Sequence, residues 1–134
     1  MRTALLALPL LAACATAPPP ACPAGTQPAT VAEAYFGRNA AGREVVTDAD
    51  WTRFTDEVIT PAFPDGLTVI DGAGQWRGRD GVIARERSKV LIVAIPGGTA
   101  TDAVARLAPV RGEYARRFAQ ESVMILTRAG CVGF

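Results

Sequence analysis

The residues of this chain that could do acid–base chemistry are carboxylates and a single lysine. Glu86, Ser88 and Lys89 lie close together in sequence, and Gln120-Glu121 forms a second polar pair. A carboxylate in such a place can act as acid or base, and an ammonium group as electrostatic stabiliser or amine nucleophile. Lys89 is the chain's one lysine beside 13 arginines, so an ammonium group occurs here where guanidinium is used elsewhere. These residues are the first candidates for a site.

The composition excludes several classes of function. The chain contains no histidine, which removes the commonest general base, the commonest zinc ligand and any Ser–His triad. No metal-ligand spacing or cofactor motif is present, so we expect neither a metal nor a cofactor, and no catalytic residue is assigned. The 14 basic side chains include Arg2, which belongs to a leader described below, so 13 basic groups face 13 acidic ones. Such neutrality gives no support to nucleic-acid binding.

Helical and strand patterns alternate along the rest of the chain. One helix is predicted to begin at Thr47, whose capping-box pattern precedes apolar residues at helical spacing. A second helical pattern begins at Thr101 and contains Pro109 and Gly112, which predict a kink or two abutting helices. Strands are predicted at 30–36, 67–76, 82–95 and 122–127, followed by a short tail from 129 to 134.

This order of elements predicts an α+β fold. Right-handed crossovers and a hairpin at Arg79-Asp-Gly81 turn the strand–helix–strand–strand–helix–strand order into a ferredoxin-like βαββαβ plait. Its four-stranded antiparallel sheet has the order 4-1-3-2, with two helices on one face. Within the second strand, Gly72 and Gly74 interrupt the apolar pattern and predict a bulge or a very short hairpin.

The third strand predicts that the domain is a homo-oligomer. Its residues 90–95 are apolar on both faces of the strand, which is typical of a strand that is covered on both sides. Both helices pack on one sheet face in the predicted topology, so the other face needs cover. A second copy of the sheet is the simplest cover, although the 72–76 segment or the N-terminal tether could provide it instead.

The predicted topology brings polar residues from four segments to one edge of the sheet. This candidate polar site comprises Arg38, Gln75, Trp76, Glu86, Ser88, Lys89, Gln120 and Glu121. Two interpretations stay open. In the first, an Arg38–Glu86 or Lys89–Glu121 ion pair merely closes a solvated edge. In the second, Arg38, Glu86, Lys89 and Glu121 form the pocket of a histidine-free enzyme, for which the sequence selects no substrate.

The N-terminus carries the pattern of a bacterial lipoprotein leader. Arg2 precedes an apolar run from Ala4 to Ala13, which is too short to span a bilayer but typical of a secretory signal. The run ends in Leu11-Ala-Ala-Cys14, which resembles a lipobox and implies cleavage before Cys14 and acylation of that residue. An ordinary signal peptide with a chance cysteine is the alternative. Ala15 after the cysteine implies sorting to the periplasmic side of the outer membrane.

The chain thus divides into a signal peptide at 1–13, a lipidated proline-rich tether at 14–28 and a single α+β domain at 29–134. The tether is expected to be extended and without secondary structure. Cys22 and Cys131 remain as an even pair of thiols in an oxidising compartment, so a disulfide between them is the default. The predicted plait brings both cysteines to the same end of the sheet, which supports the pairing independently.

An ordered set of short motifs resembles one known family. The set comprises Phe36-Gly-Arg-Asn39, residues 63–69, Gly74-Gln-Trp76, Glu86 with Ser88-Lys89, and Gln120-Glu-Ser-Val123. From about Cys14 onward it resembles a family of small bacterial envelope lipoproteins known only as a domain of unknown function. Ala62 departs from the arginine that is usual in the family, and Pro109 is unusual. The resemblance implies no activity.

These observations favour a non-enzymatic envelope lipoprotein. We expect a domain that binds a small ligand or an envelope protein and is held at the membrane by its lipid anchor. The histidine-free enzyme at the polar edge is the alternative.

Overall fold

The computed structural model describes residues 21–134 of the chain. The predicted signal peptide, Cys14 and most of the tether lie outside the described residues. The strands are β1 (Gln27–Gly37), β2 (Asn39–Ala40), β3 (Arg43–Glu44), β4 (Thr68–Arg77), β5 (Ile83–Pro96) and β6 (Met124–Val132). The helices are α1 (Asp48–Phe54), α2 (Thr60–Ala62) and α3 (Ala100–Phe118), with a π-helical segment at Thr55–Ile59 joining α1 to α2. No helix within residues 21–134 is long and apolar enough to cross a bilayer.

The four long strands form one antiparallel sheet in the order β4-β5-β1-β6. The predicted α+β class, with a four-stranded antiparallel sheet and two helical regions, is confirmed. The predicted order 4-1-3-2 counted four strands, whereas β2 and β3 form an additional two-stranded sheet and change the numbering. Counted alone, the long strands have the neighbours that were predicted. The small sheet was missed because strands of two residues carry no periodicity, although positive φ at Ala41 and Gly42 marks its turn.

The first helical region begins where the sequence predicts it. The Thr47 side chain accepts from the N–H of Asp50, and the Asp50 carboxylate accepts in return from the N–H of Thr47. The region then changes to π-helical hydrogen bonding at Thr55–Ile59 before it ends at Ala62. This change was not predicted, because the apolar spacing of a π-helical turn differs little from that of an α-helix.

Helix α3 is continuous from Ala100 to Phe118, so the predicted division into two abutting helices is wrong. A proline inside a helix removes one backbone hydrogen bond and costs about 3 kcal/mol. Leu107, Val110 and Tyr114 are buried on either side of Pro109 and hold the helix against the sheet. Their packing offsets the local cost.

One face of the sheet carries the core. Phe36 of β1 packs edge-on against Trp51 of α1 and Tyr114 of α3, with ring centroids 5.2 and 4.8 Å away. Both helical regions therefore cover the same sheet face, as predicted. The Tyr114 hydroxyl donates to the carbonyl of Gly37 at 2.8 Å, which ties α3 to the end of β1.

The disulfide between Cys22 and Cys131 is confirmed, with their Cα atoms 5.7 Å apart. The sheet extends further towards it than the sequence indicated. Strand β1 begins at Gln27, within the predicted tether, and β6 continues to Val132 through the predicted tail. Gln27 pairs with Val132 and Pro28 with Cys131, so the covalent link and the ladder hold this end of the sheet together.

Candidate functional site

The eight residues of the candidate polar site do not share one surface. Successive side chains on a strand point to opposite faces of its sheet. Lys89 lies in register with the buried Phe36 and therefore faces the helices. Glu86 and Ser88 face the opposite side, which no element within residues 21–134 covers and which we call the uncovered side. Arg38 joins Lys89 on the helix side, because both contact Asp48 at the start of α1. The expectation that all eight converge is corrected accordingly.

Arg38 is a buried structural cation. Only 1% of its surface is exposed. Its Nε donates to the carbonyl of Val46 at 2.7 Å, and its two terminal nitrogens bind Asp48 at 2.7 Å and Glu44 at 3.0 Å. The guanidinium group thus connects the end of β1 to β3 and to the first turn of α1. Such complete pairing is what allows a buried charge to be retained.

Lys89 is also buried and paired. Its Nζ lies 2.5 Å from Asp71 on β4 and 3.4 Å from Asp48. The hydrogen bond from Arg38 is the main cause that lowers the pKa of Asp48, and Lys89 adds to it. Among residues 21–134, neither the Arg38–Glu86 pair nor the Lys89–Glu121 pair of the first interpretation forms. Through these two contacts the ammonium group connects β5 to β4 and to the start of α1.

The uncovered side of the sheet carries a cleft of about 940 Å³. Strand β1 last pairs with β5 at Gly37 and Ser88, but β4 and β5 continue together as far as Arg77 and Ile83. We call residues 73–87, which extend beyond the sheet, the hairpin arm. The arm forms one wall, and the β2–β3 turn and the 119–122 loop form the others. A second, shallower depression of about 520 Å³ is lined only by the two strands of the arm.

Three glycines form the floor of the cleft. Gly37 and Gly72 flank Ser88, and Gly74 pairs with Glu86. A Cβ atom at Gly37 would lie 2.6 Å from Oε1 of Glu86, and one at Gly72 would lie 2.9 Å from Oγ of Ser88. Side chains at these positions would displace the two polar groups. The strand positions in register with Ser88 on both sides, and with Glu86 on β4, therefore carry no side chain.

The glycines of β4 do not interrupt the strand. The register of β4 with β5 is continuous from Thr68 to Arg77, so the predicted bulge or short hairpin is wrong. Gly72 and Gly74 are two residues apart and therefore share one face of the strand. That spacing was the signal for a surface without side chains, and the sequence-based interpretation took it for a break.

Glu86 is positioned by hydrogen bonds that join three elements. Its Oε2 accepts from the backbone N–H of Asn39 at 2.9 Å, and the Asn39 side chain donates to the carbonyl of Arg85 at 3.3 Å. The side chain of Gln120 donates to the carbonyl of Asn39 at 3.0 Å and to that of Phe118 at 3.2 Å. The loop after α3, the β2 strand and β5 are thus connected at the cleft. None of the ten ion pairs found within residues 21–134 includes Glu86.

The remaining candidates lie on the walls and rim of the cleft. Trp76 faces the uncovered side and is 39% exposed. Gln75 borders the cleft, although its register with Arg85 places it on the opposite face of the arm. Glu121 lies at the rim, where its Oε2 is 3.7 Å from Nε of Arg79 at the tip of the arm. Both side chains of this pair are largely exposed, so we expect it to contribute little stability.

Several lining residues were not singled out from the sequence. Asn39 occurs in a quoted motif but was not assigned to the site. Tyr35 and Met124 lie in register on β1 and β6 and line the cleft next to the sheet. The Tyr35 hydroxyl donates to Glu33, and this hydrogen bond is the main cause that raises the pKa of Tyr35. The alternation of side chains between the two sheet faces along β1 and β6 could have placed Tyr35 and Met124 on the cleft side.

The part of the chain that the structure describes offers no group of three or more Asp, Glu or Cys side chains that could hold a metal ion. The polar groups that line the cleft are instead carboxylates, hydroxyls, amides and the Arg85 side chain, beside apolar side chains. This set can bind an organic molecule through hydrogen bonds and apolar contact.

The chain belongs to the family described as "Protein of unknown function (DUF3574)", which matches residues 31–134. The resemblance to a family known only as a domain of unknown function is thereby confirmed. None of the curated proteins matches this chain.

Solved structures with a similar fold include a phage SAM lyase. Its complex with S-methyl-5'-thioadenosine is 16% identical, covers 79% of this chain and 90% of its own, and has a TM-score of 0.62. The apo state of a phage SAM lyase is 17% identical, with coverage of 82% and 91% and a TM-score of 0.61. CPII, a nitrogen regulatory PII-like protein from Thiomonas intermedia K12, is 16% identical, with coverage of 81% and 97% and a TM-score of 0.45. At these identities the likeness to the two lyase structures shows the fold alone.

Proposed function

We propose that this member of the family is a lipid-anchored protein of the bacterial envelope, and that its domain binds a small ligand without transforming it. The observation that carries the proposal is the cleft, in which Glu86 and Ser88 stand on a floor of glycines. Binding sites for small molecules are concave, mostly apolar and supplied with a few polar groups that fix orientation. This cleft has that composition and a volume of about 940 Å³.

The ion pairs on the helix side favour binding over catalysis. The enzyme alternative requires Arg38, Glu86, Lys89 and Glu121 to act together. Arg38 forms an ion pair with Asp48, and Lys89 forms one with Asp71, both on the other face of the sheet. Of the four, only Glu86 lies on the floor, and Glu121 lies at the rim beside Arg79, so the residues of the enzyme alternative are not assembled as an acid–base pair.

The position of the cleft suits a protein tethered at its N-terminus. The disulfide lies beside the start of β1, and the cleft lies at the other end of that strand. Eleven residues of β1 separate the two, which corresponds to roughly 30 Å at the rise of an extended strand. A domain anchored through Cys14 would therefore hold its cleft away from the membrane. The Cys22–Cys131 bond supports an oxidising compartment such as the periplasm.

The uncovered sheet face beside the cleft is the interface of the homo-oligomer that we propose. Ile70, Met124 and Leu126 are 50%, 59% and 48% exposed there. Exposed apolar side chains grouped on one face are typical of an interaction surface. A second copy of the sheet, as the sequence predicts, remains the occupant that we propose.

A binding experiment with two glycine variants tests the cleft. Purified full-length protein is screened by NMR against a panel of small organic molecules, which includes S-methyl-5'-thioadenosine because a phage lyase of similar fold binds it. In Gly74→Val the new side chain enters the cleft, where a Cβ meets no atom within 4 Å, so the variant is expected to fold. Gly130→Val is the matched control in β6, where a Cβ makes only an ordinary contact of 3.8 Å with Val31.

The two variants give the proposal a clear outcome. We expect cleft ligands to shift the amide resonances of β5 and the 119–122 loop in wild type and in Gly130→Val. The Gly74→Val variant should not bind these ligands. Equal binding by all three proteins would place the ligand elsewhere. Conversion of a panel molecule to a product would favour the enzyme alternative.

A further inference from the structure

The charge of the cleft indicates which class of ligand it takes. This inference rests on the proposed binding function and names the ligand chemistry of the same site. Four charged residues border the cleft, and three of them are acidic: Asp80, Glu86 and Glu121, with Arg85 as the fourth. Arg85 lies in register with Gln75, so alternation directs it to the face opposite Glu86. The cleft side of the sheet therefore carries negative charge.

Glu86 is the carboxylate best placed to meet a ligand. Asp80 accepts from the N–H of Val82 within the turn of the arm, at 2.9 Å, and Glu121 lies at the rim beside Arg79. Glu86 instead lies on the floor, half-buried, and the described residues provide its Oε2 with one backbone donor and its Oε1 with none. A half-buried carboxylate without a cationic partner gains free energy from a ligand that brings one.

The other walls indicate that this cation is organic. A metal ion would need several oxygen ligands, and no suitable group of three acidic or cysteine residues occurs within residues 21–134. Trp76 offers apolar surface in the cleft and is 39% exposed. Trp76 is paired with Ala84 and thus lies diagonally across from Glu86, at a separation of about 7 Å for such neighbours. A short amine with an aromatic or aliphatic body spans that distance.

We propose that the cleft binds an organic amine, with the ammonium group paired to Glu86 and the apolar body against Trp76. The glycines at 37, 72 and 74 allow the ammonium group to approach the floor. The indole ring of Trp76 adds a favourable interaction with a nearby cation. Anionic ligands of the same shape are disfavoured by the carboxylate.

Three matched probes test the proposal on purified full-length protein. Phenethylamine, 2-phenylethanol and 3-phenylpropionate share a phenyl ring and differ in carrying a positive, neutral or negative group. Dissociation constants are measured by NMR titration at low ionic strength, since salt screens a partly exposed pair. We expect the amine to bind most tightly and the carboxylate least.

Glu86→Gln isolates the charge, because an amide oxygen can still accept from Asn39. We expect this variant to weaken phenethylamine binding about tenfold or more, which corresponds to one lost charged interaction, and to leave 2-phenylethanol unaffected. Glu57→Gln removes a carboxylate that does not line the cleft and that pairs with Arg117; it is the control and should change neither affinity.

The outcomes separate the ligand class from the proposed function. Equal binding of all three probes, or unchanged amine binding in Glu86→Gln, overturns the amine assignment. If Gly74→Val still abolishes that binding, the cleft remains a binding site for another class. Absence of binding by every probe at millimolar concentration overturns the amine assignment too, and failure of the wider panel then removes the proposed function.

Discussion

Glu86 and Lys89 lie three residues apart on β5 and project from opposite faces of the sheet. Glu86 accepts from the N–H of Asn39 on the floor of the cleft, whereas Lys89 reaches Asp71 and Asp48 on the helix side. The sheet thus separates two groups whose closeness in sequence suggested a joint acid–base site. One serves the cleft, and the other belongs to the ion pairs that hold β5 to β4 and α1.

Lys89→Met tests this separation. We expect the variant to bind cleft ligands as wild type does, because Lys89 faces away from the cleft. Its free energy of unfolding should fall by about 1–3 kcal/mol, the range for loss of a buried polar interaction. Chemical denaturation and the probe titration measure the two quantities. Arg116→Met is the control, since Arg116 forms an exposed pair with Glu113 and should change stability by less than about 0.5 kcal/mol. Loss of binding in folded Lys89→Met would contradict the separation.

The same ion pairs predict a loss of stability in acid. The hydrogen bond from Arg38 lowers the pKa of Asp48, and that from Arg87 lowers the pKa of Glu44. A carboxyl group with a lower pKa in the folded state stabilises the protein above its unfolded pKa, which is about 4. That contribution is lost as pH falls through the folded pKa.

Thermal unfolding from neutral pH downwards checks this sign. We expect the melting temperature of wild type to fall below about pH 4. Arg38→Met should start from a lower melting temperature and show a shallower fall, because Asp48 loses the group that lowers its pKa. The capping carboxylates Asp50 and Asp102 also have lowered pKa values, through their bonds to Thr47 and Thr99, and remain in both proteins. Parallel curves for the two proteins would show that Arg38 does not set the acid response.

The sequence predicted the α+β class and the four-stranded antiparallel sheet because its signals are local and periodic. The capping box at Thr47, the apolar rows of the helices and the apolar run 90–95 each indicate one element, and short connections leave few ways to join them. The division of the candidate site was also accessible in part. Along a strand, residues 86 and 88 are two positions apart and point to one face, whereas residue 89 is adjacent to 88 and points to the other. Alternation alone therefore assigns Glu86 and Lys89 to different faces.

Other features of the site depend on contacts that are distant in sequence. Arg38 follows the last residue of β1, where alternation no longer applies, and its orientation depends on Asp48 and the carbonyl of Val46. The cleft itself exists because β4 and β5 continue to pair with each other beyond the end of β1. Strand lengths of this kind are decided by pairing partners and not by the residues of one strand, so the arm could not be inferred from its own sequence.

Reduction of the Cys22–Cys131 disulfide should destabilise the domain. The bond links residues 109 apart in sequence, and the loss of chain entropy in the unfolded state corresponds to at most about 4–5 kcal/mol. Urea unfolding with and without reductant measures the difference, with thiol counting on the denatured protein as the control for the redox state. Equal unfolding midpoints in the two conditions would show that the bond contributes no net stability.

Lipidation at Cys14 remains a prediction from the lipobox-like pattern, which lies outside the described residues. Cells given labelled palmitate should incorporate it into wild-type protein and not into Cys14→Ser, because the acyl chains are attached through that residue. Cys22→Ser is the matched control and should still be labelled. Absence of label in wild type, or equal label in Cys14→Ser, would reject the anchor.

Self-association is tested on the uncovered sheet face. Leu126 of β6 is 48% exposed there, and Val104 of α3 is 42% exposed on the helical side of the domain. We expect full-length wild type, purified in density-matched detergent, to sediment as an oligomer at micromolar protein concentration, since an apolar face of this kind gains free energy when covered. Leu126→Glu should shift the protein towards monomer by placing a charge in the interface, whereas Val104→Glu, with the same substitution at similar exposure, should remain an oligomer. Monomeric wild type, or an equal effect of both variants, would mean that another part of the chain or a different protein covers this face.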